Sequence, residues 1–308
     1  MRESIWVIRM KNKFLVNIKY TLLFQRYYIL IALILGFFIG ILYSYNTAVS
    51  FNRWYLYYIS TTPNIDPGVV NNQIKFSVYT FWWSSIPLIF IFIAPIASII
   101  ASQNEENDMN HYIMIYYPSR ISLFISLLIT LFVMGASLIF MEWVVFTVVF
   151  NYMTGFLAWY PQVFLAVVVV FILVLLLSGL IGIAIKKRAW SVIISIFFAI
   201  FIMSLSSIAY NQGINYVDNR LEYIDTVQEY RSTFPLIWKI LTFLNPLYLL
   251  HEFMKLLLYP QTLEKINNIS ILDFNGCILL YLLWYFLLIL LGYLIFTYKH
   301  PLRKVVRV

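Results

Sequence analysis

Between two membrane-length apolar runs the chain carries three acids in close order, Glu105, Glu106 and Asp108. Asn107, Met109, Asn110 and His111 are interleaved with them or follow them. Then come an apolar patch, Tyr112-Ile113-Met114-Ile115, and the trio Pro118-Ser119-Arg120. Acids and apolar residues gathered in one short segment suit docking rather than bond-making. The stretch reads as a compact helix on the membrane surface, the kind of element through which a membrane protein meets a soluble partner. A further acid, Glu142, lies inside an apolar run, where acids are rare and mark function by default. It falls about 30 Å along a helix from Ile121, near the outer face. Two readings stand. Glu142-Trp143 is an interfacial pair with the tryptophan in the aromatic belt, or Glu142 lines a substrate path or a subunit seam.

Little else could do chemistry. No glycine-rich loop is followed by Lys-Ser or Lys-Thr, so no nucleotide-binding loop is present. His111, His251 and His300 lack metal-ligand spacing. No Gly-x-Ser-x-Gly elbow or Ser/His/Asp set occurs. His251 and Glu252 are neighbours, but adjacent helical residues do not face each other, so a solvated or headgroup-facing pair is expected. The single cysteine, Cys277, excludes an intrachain disulfide and reads as a small buried apolar residue. The chain does not read as an enzyme, and any energy for work must come from a partner.

The elements that position these residues follow from composition. Of 308 residues 62% are hydrophobic and 11% charged, more apolar surface than a soluble domain of this length hides. Runs of about 20 apolar residues match the bilayer core, and the alternating ten-residue segments of a membrane barrel are absent. The fold class is all-α integral membrane, a single transmembrane domain over 1–308. Six transmembrane helices are expected, near 28–43, 81–101, 121–150, 163–185, 190–210 and 278–298. The third is long enough to tilt or to extend past the bilayer. The net charge of +8 sits at span ends and signals no nucleic acid. With both termini in the cytoplasm, 14 of the 21 basic residues fall on the inner side, which the positive-inside rule favours. No cleavable signal peptide is expected.

Three segments flank the spans. Residues 1–27 read as an interfacial helix, with Trp6, Met10, Phe14, Ile18 and Leu22 sharing one face and basic residues away from its centre. It serves either as a surface-lying helix or simply as a positive-inside anchor. Asn46 to Lys75 reads as an ordered outer loop or small cap. The outer loop 211–275 contains an apolar run, Phe234 to Tyr259, broken at Asn245-Pro246. Each half is too short to cross, and proline disfavours helix at the preceding residue. Broken re-entrant helices before span six are therefore expected. A seventh span would carry Lys299, Arg303, Lys304 and Arg307 outside.

In order and topology the chain resembles the type-2 ABC-transporter permeases, the exporter-type membrane subunits that pair with a separate ATPase. The resemblance rests on the six spans, the basic helix before the first, the acidic segment after the second and Pro118-Ser119-Arg120 at its end. Glu105 matches the first acid of the family pattern. Asn107 stands at its second acid position, with Glu106 and Asp108 flanking, and Met109-Asn110 replaces its Gly-Thr. Leu244 to Tyr248 corresponds to the family's re-entrant region. The resemblance implies that 102–120 is a cytoplasmic coupling helix seated in a groove of the ATPase. It also implies a second permease subunit, identical or not, with the pathway at the seam. ATP and Mg would be bound by the partner ATPase, and no cofactor by this chain. The implied location is the cell membrane, with both termini cytoplasmic. Lys186-Lys187-Arg188 would be a headgroup anchor or a lesser contact.

Two other classes compete with an ATP-driven exporter subunit. One is a non-transporting scaffold or sensor that docks a soluble partner through 102–117. The other is a membrane enzyme acting on lipid, which needs convergent polar groups at one depth. Tyr55, Tyr57 and Tyr58 read as headgroup anchors or substrate contacts. The aromatic residues otherwise scatter as belts and packing require, and the dispersed methionines do not outline a copper path.

Overall fold

The computed structural model describes residues 26–62, 64–106, 120–185, 187–218, 231, 240, 244–259, 270 and 272–299. Among these the chain is all-helical. The helices are α1 (Arg26–Thr61), α2 (Pro67–Glu106), α3 (Arg120–Thr154), α4 (Pro161–Ala184), α5 (Arg188–Asp218), α6 (Pro246–Leu258) and α7 (Phe274–Lys299). All but α6 contain a stretch long and apolar enough to cross a membrane.

The expected spans are present, but α1 and α2 run well beyond them. Helix α1 has 36 residues, about 54 Å at 1.5 Å per residue, against a hydrocarbon core of about 30 Å. The polar stretch 46–75, expected as a loop or cap, is instead mostly helix, with α1 ending at Thr61 and α2 opening at Pro67. Loss of apolarity ends a span but need not end a helix. Two side chains support the extension. Asn52 Nδ2 donates to the Met153 carbonyl of α3 at 3.0 Å. Asp66 starts α2, its carboxylate accepting from Gly68 N at 2.8 Å, with Pro67 supplying a preformed first-turn φ.

Helix α4 lies at the centre. It is apolar all round, as a buried helix must be, and packs on α2, α3, α5, α6 and α7. Helix α1 pairs closely with α3. Its buried face is the ladder Ala32, Gly36, Gly40, Ser44, Ala48, one small residue every fourth position. Lipid tails are as apolar as leucine side chains, so close backbone approach is what holds such helices together. A Cβ on Gly36 would lie 2.8 Å from the Leu138 carbonyl oxygen of α3. Towards the Thr61 end, aromatic packing takes over. Phe51 meets Phe150 at 5.3 Å and Phe156 at 5.5 Å, and Phe81 stacks on Phe146 at 4.0 Å. Tyr55 packs on Phe156 and Tyr58 on Trp54, while Tyr57 is exposed. Of the three tyrosines read as anchors or contacts, Tyr55 and Tyr58 are thus half-buried against the core.

On the far sides of α1 and α7 large apolar residues face outward, among them Leu30, Phe38 and Leu42 on α1 and Leu279, Leu282 and Phe286 on α7. These faces are suited to lipid.

Candidate functional site

Helix α2 carries two buried polar centres on roughly opposite faces. Trp83 and Ser85, two positions apart, are separated by about 200° around the helix axis. Just below them Pro87, and farther on Pro95, lie within α2, and each removes one hydrogen bond from the helical ladder.

The first centre is built by α6. Asn245 caps this helix, its side-chain oxygen accepting from Leu247 N at 3.0 Å and Tyr248 N at 3.3 Å. Its Nδ2 donates to the Ile202 carbonyl of α5 at 3.0 Å, and Pro246 takes the first helical turn. The Asn245-Pro246 break is therefore a helix start tied to a neighbouring helix. Capping of this kind stabilises by about 1 kcal/mol. Helix α6 is about 20 Å long, too short to cross, and is packed against α2, α4, α5 and α7.

His251 and Glu252 on α6 are 1% and 0% exposed. The expected solvated or headgroup-facing pair is instead wholly interior. Sequence adjacency argued against a joint role, but the surrounding helices close over both side chains. The Tyr79 hydroxyl is hydrogen-bonded to His251 Nδ1. The Trp83, Tyr79 and Tyr248 rings surround the imidazole at centroid distances of 4.8, 5.4 and 5.5 Å. His251 Nε2 lies 3.8 Å from Glu252 Oε1, and Lys255 Nζ donates to that oxygen at 3.3 Å. Cys277 on α7 is buried, as expected, within electrostatic reach of Glu252. Phe253 meets Tyr281 of α7 at 5.8 Å. Burial, assisted by Lys255, holds the His251 ring well below its usual titration range, so the imidazole is neutral at pH 7.

That state has a consequence for stability. The unfolded chain takes up a proton at His251 below about pH 6.5, whereas the folded chain does not. Stability is full above that range and falls as pH drops through it. Thermal unfolding of the purified chain at pH 7.5 and pH 5.5 is expected to show this loss, and His251→Gln to reduce it. Equal pH sensitivity in both proteins would contradict the assignment.

The second centre is Glu142 on α3, 0% exposed. It faces the interior between α1, α2 and α3, so of its two readings the interfacial one does not hold. Distance gave its depth but not its direction. The Ser85 hydroxyl acts on the carboxyl without closing a hydrogen bond, and both carboxylate oxygens and the Ser85 hydroxyl are buried without partners. From α1 the backbone closes in at Gly40, where a Cβ would sit 3.4 Å from Glu142 Cα.

At the opposite end of α2 the helix runs to Glu105 and Glu106, its last two residues, and α3 opens at Arg120. The remaining docking residues, Asn107, Asp108, Met109, Asn110, His111, Tyr112, Pro118 and Ser119, lie outside the described residues, as do the helix expected within 1–25 and most of 219–243. Sequence reading did not single out Tyr79, Trp83, Ser85 or Tyr281. Only the fourfold spacing of small residues on α1 was a usable signal of close packing. Among the described residues no cluster of His, Cys, Asp and Glu is arranged to hold a metal.

Comparison with protein-family models finds no matching family, and no curated protein or solved structure matches the chain.

Proposed function

We propose that this chain is the membrane-spanning subunit of an ATP-driven transporter, an exporter of the type-2 ABC permease class. The observation that carries this reading is the unbroken course of α2. One helix joins the acidic end at Glu105-Glu106 to both buried polar centres, which lie about 30–40 Å along it. A continuous element, passing Pro87 and Pro95 on the way, lets a soluble partner at one membrane face bias packing deep in the bundle. Nucleotide binding then drives transport by favouring one permease state through differential contacts.

On this reading both termini are cytoplasmic, and Glu105 to Tyr112 dock in the ATPase, with Pro118-Ser119-Arg120 turning the chain back into α3. ATP and Mg are held by that partner. Two permease chains and two ATPase chains form the working unit in the cell membrane. Helix α6 dips in from the outer side as the second half of a re-entrant pair, with Asn245-Pro246 at the turn.

Purification of the tagged chain in mild detergent, with mass spectrometry of co-purifying proteins, tests this reading. A stoichiometric subunit bearing a Walker A motif is expected. A soluble partner without one would instead favour a scaffold that docks through 102–117.

A further inference from the structure

We infer that Glu142, with Ser85, forms a buried site for a monovalent cation, either a proton or an alkali ion. This inference stands apart from the transporter reading. Both carboxylate oxygens are inaccessible and make no hydrogen bond. Among the described residues, the side chain acting on the carboxyl is the Ser85 hydroxyl, itself buried and without a partner.

An ionised carboxylate in such a place is costly unless its charge is neutralised. Among the described residues none places a counter-charge on the carboxyl. From α1 the facing residue is Gly40, and from α2 it is Ser85. Helix α4 has no ionisable residue in its sequence, and no charged group of α7 acts on Glu142. With no such charge among the described residues, the neutralising charge is assigned to solution. An oxygen-only pair, one carboxylate and one hydroxyl, suits a hard monovalent ion or a proton equally. The site lies in the seam between α1 and α3, beside Gly40, so emptying it leaves an uncompensated charge there. Occupancy and the α1–α3 contact are thereby linked.

The test uses the full-length chain in lipid nanodiscs and dicyclohexylcarbodiimide, a lipid-soluble reagent that adds to protonated carboxyls. Labelling at Glu142 is followed by mass spectrometry as pH is raised, in sodium chloride or choline chloride. A proton site predicts labelling that falls about tenfold per pH unit once the site titrates, alike in both salts. An alkali-ion site predicts protection by sodium but not by choline. Labelling that responds to neither pH nor sodium, or that never occurs, overturns the proposal unless the infrared spectrum answers for it. That spectrum needs no reagent to reach the site. The wild type minus Glu142→Gln difference in sodium-free buffer must contain the band of a protonated carboxyl. A band of ionised carboxylate alone, in that buffer, overturns the proposal outright.

Discussion

Gly182→Ala is expected to destabilise the helical core by about 2–3 kcal/mol, whereas Gly179→Ala, one turn earlier on the same helix, costs under about 1 kcal/mol. Both glycines lie on α4, the central helix. A Cβ at Gly182 would sit 2.5 Å from the Ser98 carbonyl oxygen, 3.1 Å from Ser98 Cα and 2.7 Å from Ala101 Cβ, all on α2. Two of these atoms are backbone and cannot turn aside. Ser98 is further fixed by its hydroxyl contact with Ser191 of α5, so α2 cannot retreat without loosening a third helix. At Gly179 the atom met at 2.7 Å is Leu131 Cδ1, the tip of a side chain that has other rotamers. Comparing the thermal stability and monodispersity of the two variants in detergent separates a backbone clash from a yielding one. Equal losses would mean that α2 and α4 are not in backbone contact at Gly182.

The second large effect is functional. On the proposed transporter reading, reversing both charges, Glu105→Lys with Glu106→Lys, is expected to abolish assembly with the ATPase or transport-linked ATP hydrolysis, while the chain itself folds normally. These residues close α2, beyond the end of its apolar span at Ser102. Two acids replaced by two bases change the docking charge by four units. Like charges across an interface cost several kcal/mol, enough to reduce binding by roughly a thousandfold. Pull-down of the ATPase and ATP hydrolysis in reconstituted vesicles read the outcome. A doubly reversed chain that assembles and hydrolyses ATP as the wild type does would remove these acids from the contact.

How much of this was written in the sequence depends on the physics that set each element. The six spans were legible because hydrocarbon demands long apolar runs, and Asn245-Pro246 was legible because proline punctuates helices. The ends of α1 and α2 were not, since Asn46 to Lys75 is polar yet helical. There, Asn52, Asp66 and an aromatic cluster hold the backbone where apolarity no longer does. The buried centres were hidden for another reason. Tyr79, Trp83 and Ser85 look like ordinary span residues, and their roles arise only when α6 and α3 are laid against α2. The Gly36 and Gly40 spacing was readable, but it predicts a close helix contact without saying with which helix.

The central claim is that the Glu106 end of α2 receives a nucleotide-driven motion and carries it to the buried centres. Its most direct test is a single-cysteine chain, with Cys277 replaced by alanine and Glu106 by cysteine, cross-linked in native membranes with and without ATP. The account predicts a cross-link to an ATPase subunit, with a yield that changes when ATP binds. A cross-link to any other protein, or one indifferent to ATP, would contradict it.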